Sequence, residues 1–279
     1  MTSTTIPRLP AGRTVRLGGS RIANEVRTYF RQGDSVFFTF LFPVVMLTIF
    51  STAFSNQSFG SDAAGNDVSA ASYYLPGMLA AGLLLSGLQN LAVDIATERS
   101  DGTLKRLAGT PLPITSYFIG KIGQVLVTGT AQAVILLLTA WLLFGVDLPT
   151  SADKWLTFAW VFLLGVTTSA VLGIALSQLP ASGKSATAVV IPITLVLQFI
   201  SGVYLPFSQL PDWLQNVANF FPLKWMAQGM RSVFLPENFE SAEPGGIWNL
   251  VGVALALGAW FVTGLVACRL VFRWIRKDS

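Results

Sequence analysis

The residues able to do chemistry are few, and most gather between two apolar stretches. Segment 97–111 reads TERSDGTLKRLAGTP and holds Glu98, Arg99, Asp101, Lys105 and Arg106. Side chains of both signs at this density can pair with one another or with a facing protein surface. A second group, Arg21, Glu25, Arg27 and Arg31, lies near the N-terminus, and Asp94 and Lys184 border apolar runs. The chain has no His, which excludes a His-ligated metal site and a Ser-His or Cys-His pair. Its single cysteine, Cys268, sits in an apolar run, reads as a small buried hydrophobe and rules out an intrachain disulfide. No GxxxxGK[ST] phosphate loop occurs. No catalytic residue, metal or cofactor is expected in this chain.

The local elements that carry these residues can be read from their spacing. Ser100, Asp101 and Gly102 have turn chemistry, the following Thr103, Leu104, Lys105, Arg106 and Leu107 make about one helical turn, and Gly109, Pro111 and Pro113 break it. Leu104 and Leu107, at i and i+3, form an apolar edge beside basic residues. The segment reads equally as an ordinary basic inner loop or as an edge that a partner covers. Upstream, Ile22, Val26, Tyr29 and Phe30 recur on one face of a helix over 19–32, with Arg27 and Arg31 opposite and Arg21 and Glu25 flanking. Such a helix ahead of a span lies in the membrane interface, as a topology anchor, a docking helix or both.

What must position these groups is a membrane domain. Hydrophobic residues make up 52% of the 279 residues and charged ones 11%, against roughly 25% charged in soluble domains, so lipid must face much of the surface. Six long runs lack Asp, Glu, Lys and Arg: 35–61, 68–93, 122–146, 155–183, 185–211 and 244–268. Trimmed of polar ends they predict spans at 36–54, 74–93, 122–144, 155–176, 186–203 and 247–272, with Pro43, Pro76 and Pro192 as kinks or starts. The net charge of +4 lies beside these runs rather than in a nucleic-acid-binding patch. Arg8, Arg13, Arg16, Arg21, Arg27, Arg31, Arg99, Lys105, Arg106, Lys121, Lys184, Arg269, Arg273, Arg276 and Lys277 fall on one side, and Lys154, Lys224 and Arg231 on the other. That asymmetry predicts cytoplasmic termini in the plasma membrane. Residues 1–31 do not read as a secretory signal. Between the last two spans, Trp213, Leu214, Val217, Phe220 and Phe221 predict a short helix. A break over 221–225 and a second short helix over 226–234 follow, too short to span and hence a re-entrant or interfacial cap. Gln89, Asn90 and Gln198 are polar groups within spans, which either line a substrate path or bond neighbouring helices.

Taken together these features resemble the integral membrane subunits of ABC exporters of the type 2 export permease family, which includes drug-resistance, polysaccharide and G-subfamily exporters. The resemblance covers nearly the whole chain. Its most specific part is Glu98-Arg99, then Gly102-Thr103-Leu104, closing at Thr110-Pro111. A second part is Leu210-Pro211-Asp212-Trp213-Leu214, then Phe221-Pro222-Leu223 and Arg231. It implies an all-α membrane protein with six transmembrane helices. A flexible N-terminus would cover 1–18, an interface helix 19–33 and a single transmembrane domain 34–279, with a coupling loop at 97–111 and an outer hairpin at 204–240. Glu98, Arg99, Gly102, Thr103, Leu104, Lys105, Arg106, Leu107, Thr110 and Pro111 would then dock on a cytoplasmic ABC ATPase, which would hold ATP and Mg. Glu98, Arg99, Lys105 and Arg106 would pair across that interface. Leu210, Pro211, Trp213, Phe221, Pro222 and Arg231 would belong to the outer gate. A second permease copy, membrane lipids and a small amphipathic substrate complete the expected partners, with no nucleic acid. The rivals are an ion-gradient-driven transporter or channel, a membrane-embedded enzyme and an assembly factor.

Overall fold

The computed structural model describes residues 11–62, 65–180 and 182–272. Residues 1–10, with Arg8, and the cations Arg273, Arg276 and Lys277 lie outside the described residues. The protein is an all-α multi-pass membrane protein. Six helices are long and apolar enough to cross a membrane: Gly33–Ala53, Ala70–Ser100, Ile114–Phe144, Ala152–Leu176, Gly183–Ile200 and Leu250–Val271. A backbone in hydrocarbon has no water to bond, so charge-free runs of this length close their hydrogen bonds internally as helices. In chain order the helices are α1 (Ala11–Phe30), α2 (Gly33–Ala53), α3 (Ala70–Leu84), α4 (Leu91–Ser100), α5 (Thr103–Ala108), α6 (Ile114–Phe144), α7 (Ala152–Leu176), α8 (Gly183–Ile200), α9 (Asp212–Phe220), α10 (Pro222–Phe234) and α11 (Leu250–Val271). A π turn, Leu85–Asn90, joins α3 to α4 within the second span. Pro43, Pro76 and Pro192 lie inside α2, α3 and α8.

Boundaries differ from the expected ones where charges pair. The second span reaches Ser100 rather than 93, carrying Asp94 and Glu98 within its last turns. The third begins at Ile114 rather than 122, ahead of Lys121. Trimming at each charge assumes that the charge needs water. Here the acids of one span meet the lysine of the other, so neither helix has to stop. Helix α1 starts by Ala11, so 11–18 is helical where a flexible segment was expected. Its inward face also differs. Tyr29 is buried as expected, but so is the flanking Glu25, whereas Phe30 is 48% exposed. The second short helix starts at Pro222 rather than 226: the proline ends the first and opens α10 at N1, where its missing N–H costs nothing.

The second span is the centre of the bundle, with 78% of its most apolar window buried against 17% for the sixth. Its π turn meets α7 with almost no space between backbones: a Cβ on Gly173 would lie 2.3 Å from the Gly87 carbonyl oxygen. Glycine is required at that crossing. Helix α1 lies along the start of α6, with Gly18 against Ile119, Gly120 against Arg21 and Gly123 against Ile22. At the other end of the bundle α10 runs antiparallel to α7. Phe234 meets Trp155 edge-on, Gly229 faces Val161, and Met226 faces Gly165 and Ser169. Helix α11 completes the layer, with the Thr168 hydroxyl donating to the Leu257 carbonyl and the Cys268 thiol to that of Val171.

Candidate functional site

Helices α1, α4 and α6 converge on one side chain. Lys121 on α6 has no solvent exposure, and its ammonium contacts Glu25 Oε2 of α1 at 2.8 Å, Asp94 Oδ2 at 2.5 Å and Glu98 Oε1 at 2.7 Å, the last two on α4. Arg21 Nη2 pairs with Glu25 Oε1 at 2.6 Å, one turn away on α1. The Tyr117 hydroxyl donates to Glu98 Oε2 at 2.8 Å, and Gln32 Nε2 reaches Asp94 Oδ1 at 3.5 Å. The spacing explains the convergence: Asp94 and Glu98 are i and i+4 on α4, and Tyr117 and Lys121 are i and i+4 on α6, so each helix offers one polar face. The three carboxylates converge as metal ligands would, but the lysine ammonium already sits among them as the cation. With every group ionised, three carboxylates face two cations, and the knot keeps one negative charge in excess.

The expected docking residues divide between this knot and the surface. Glu98 is turned inward on Lys121 and Tyr117, and Arg99 Nη1 reaches the Pro180 carbonyl at 3.5 Å ahead of α8. Both thus have partners within the chain, one of the two pairings that the sequence left open. Gly102 takes φ +80°, a turn that Asp101 closes by accepting from the Thr103 amide at 2.8 Å. Leu104, read as an exposed edge, is wholly buried in the protein's own core, because the spans supply apolar surface within reach; Leu107 is half-buried. Lys105, Arg106, Thr110 and Pro111 remain exposed, with Arg106 Nη2 donating to Thr103 Oγ1 at 3.1 Å. On α1, Arg27 is exposed and Arg21 half-buried, and Arg31, just past its end, is exposed.

Of the polar groups within spans, Gln89 and Asn90 bond neighbouring helices, and Gln198 bonds its own helix and the segment that follows it. Gln89 accepts from the Thr194 hydroxyl of α8 at 2.5 Å. Asn90 donates to Thr39 of α2 at 2.7 Å, and the Tyr29 hydroxyl donates to the same Thr39 oxygen at 2.6 Å. Burial pushes the Tyr29 phenol above its ordinary range despite that bond, so it stays a donor. Gln198 accepts from the Tyr204 hydroxyl at 2.5 Å. Burial pushes Tyr204 up to about 12.

At the hairpin end, Trp213 is 67% exposed, Pro211 exposed, Leu210 and Phe221 half-buried, and Pro222 and Arg231 buried. Arg231 Nε pairs with Glu243 Oε1, both side chains buried, and Nη1 reaches the Gly202 carbonyl at 3.3 Å. The Trp260 indole on α11 donates to the Phe220 carbonyl at 2.7 Å, at the end of α9. Lys224 belongs with Lys154 and Arg231 among the cations of this side. It is 1% exposed.

The bundle, the paired charges at one end and the hairpin at the other define a multi-pass permease. The chain belongs to the ABC-2 type transporter family, whose model matches residues 21–235. As a member it is a membrane permease component of an ABC-type transport system. Among its relatives, the "Probable multidrug ABC transporter permease YbhR" of Escherichia coli K12 is 22% identical over 187 residues, covering 67% of this chain and 50% of the relative. The linearmycin resistance permease protein LnrN of Bacillus subtilis is 26% identical over 183 residues, covering 65% of this chain and 46% of the relative. The chain thus spans about half the length of these relatives.

Proposed function

We propose that the chain is the membrane half of an ATP-driven exporter, worked by a separate cytoplasmic ATPase. The observation that carries this reading is the Lys121 knot. It makes α1, the end of the second span and the start of the third one charged body, beside an α5 that presents Lys105 and Arg106. In this reading α5 and the exposed face of α1 rest on the ATPase, with the termini cytoplasmic. Closure of the ATPase on ATP pushes α5, and the knot passes the displacement to three helices at once. A near-complete switch between two states needs a preference of roughly 5.5 kcal/mol, which ATP binding supplies only if it favours one state by that margin.

At the other end, α10 is 13 residues long, about 20 Å at 1.5 Å per residue. The α9–α10 pair is read as a re-entrant outer gate. A second copy of the chain, or a paralogue, faces this one across the path. The multidrug and resistance names of two relatives, together with spans that hold few charges, support an amphipathic substrate drawn from or through the lipid. Transport into inside-out vesicles holding the chain and its co-expressed ATPase tests this. Uptake of an amphipathic dye should require hydrolysable ATP and survive collapse of ion gradients. Uptake driven by an ion gradient without ATP overturns the reading in favour of a secondary transporter.

A further inference from the structure

The described residues include one buried cation that no ion pair compensates. Lys224, two positions into α10, is 1% exposed, and none of the ion pairs among the described residues involves it. Of its three donors, one reaches Gln228 Oε1. The ammonium otherwise faces rings, 4.1 Å from the centroid of Trp225 and 5.4 Å from that of Phe207. Cation–π contacts return only part of the hydration lost on burial. Gln228 spends its amide on the Trp248 carbonyl at 2.9 Å, so the ammonium's acceptor also fixes α10 to the segment leading into α11. Lys224 therefore stands where α10 meets both flanking segments, Phe207 after α8 and Trp248 before α11.

The surroundings do not neutralise it. Arg231, two turns along α10, repels it. Glu243 attracts it but is already spent on Arg231. Helix α3 offers only the phenols Tyr73 and Tyr74, α8 and α11 have no charged group near this level, and α9 has Asp212 at its far end. Helix α7 brings only Asp153 and Lys154 at its start, where Lys154 donates to the Leu235 carbonyl at 3.5 Å.

We propose that Lys224 is a poised charge: its burial opposes the packed position of the α9–α10 hairpin, and displacement of the hairpin, which rehydrates the ammonium, is favoured whenever it is protonated. The proposal deepens the outer-gate reading but does not need the ATPase. Desolvation, reinforced by Arg231 and opposed by Glu243, pushes the lysine down from 10.5 to about 8 in the packed state. The sign follows from linkage. The displaced state binds the proton more tightly, so rising pH from 8 towards 10.5 favours the packed hairpin and falling pH favours displacement.

The test is the distance between spin labels at Asn216→Cys on α9 and Leu255→Cys on α11. It uses the full chain in lipid vesicles with Cys268→Ser. The Lys224 protein should show a longer-distance component at pH 6.5 that shrinks by pH 9.5. If the displaced ammonium regains its ordinary value, the opening equilibrium falls about thirtyfold over that range. Lys224→Met should lack the component at both values, and Lys224→Arg, which stays charged, should keep it at both. Three results would overturn the proposal: a longer component in Lys224→Met, no pH dependence in the Lys224 protein, or no longer component in it at all. A longer component in Lys224→Met would mark the residue as a clasp instead. None of these outcomes depends on whether an ATPase drives the chain.

Discussion

Replacing Lys121 with methionine is expected to cost about 3–5 kcal/mol of stability, because it leaves Asp94 and Glu98 with no cation and Glu25 with Arg21 alone. Glu25 is 4% and Glu98 13% exposed, so water cannot take over the role of the ammonium; Asp94, at 27%, is partly relieved. The asymmetry within the knot is the informative part. Glu98→Gln keeps an acceptor for Tyr117 and removes the excess negative charge, so its cost should stay within about 1 kcal/mol. Thermal unfolding of the two variants in one detergent, followed by the loss of monodisperse protein, compares them directly. If Lys121→Met melts with the parent, the ammonium does not hold the three helices together.

The second large effect is at Arg231. Arg231→Met strands Glu243 in the interior and removes a donor from the Gly202 carbonyl, again for about 3–5 kcal/mol. The double variant Arg231→Met/Glu243→Leu removes both charges at once and should recover most of that loss, since two apolar side chains can replace a buried pair. A double variant no more stable than Arg231→Met alone would mean that Glu243 is solvated and the pair contributes little.

The spans were legible in the sequence because hydrocarbon imposes one requirement, internal backbone bonding, on every residue of a run. The charged groups were not, because a charge at the end of an apolar run has the same local signature whether it meets water or another charge. Asp94, Lys121 and Lys224 were all read by that signature, as edges or loop charges, and all three face protein instead. One signal was available for the knot. Asp94 with Glu98, and Tyr117 with Lys121, are i,i+4 pairs at span ends that an antiparallel pair of helices would bring to one level. Leu104 failed differently. Its sequence fits an ordinary inner loop and a partner-covered edge equally; the edge is covered, but by the protein's own core. Leu104→Asp would therefore disturb folding and cannot report on docking, whereas Lys105 and Arg106 can.

The most direct measurement is the ATPase rate of the complex of this chain with its co-expressed ATPase in lipid, comparing parent with Lys105→Glu/Arg106→Glu. Both side chains are exposed and neither belongs to the knot, so the double variant should fold and insert normally. If α5 transmits nucleotide closure to the spans, substrate-stimulated turnover should fall to the unstimulated rate, or the complex should dissociate, while the melting temperature of the chain holds. Stimulated turnover equal to that of the parent, in a complex that stays intact, would contradict coupling through α5.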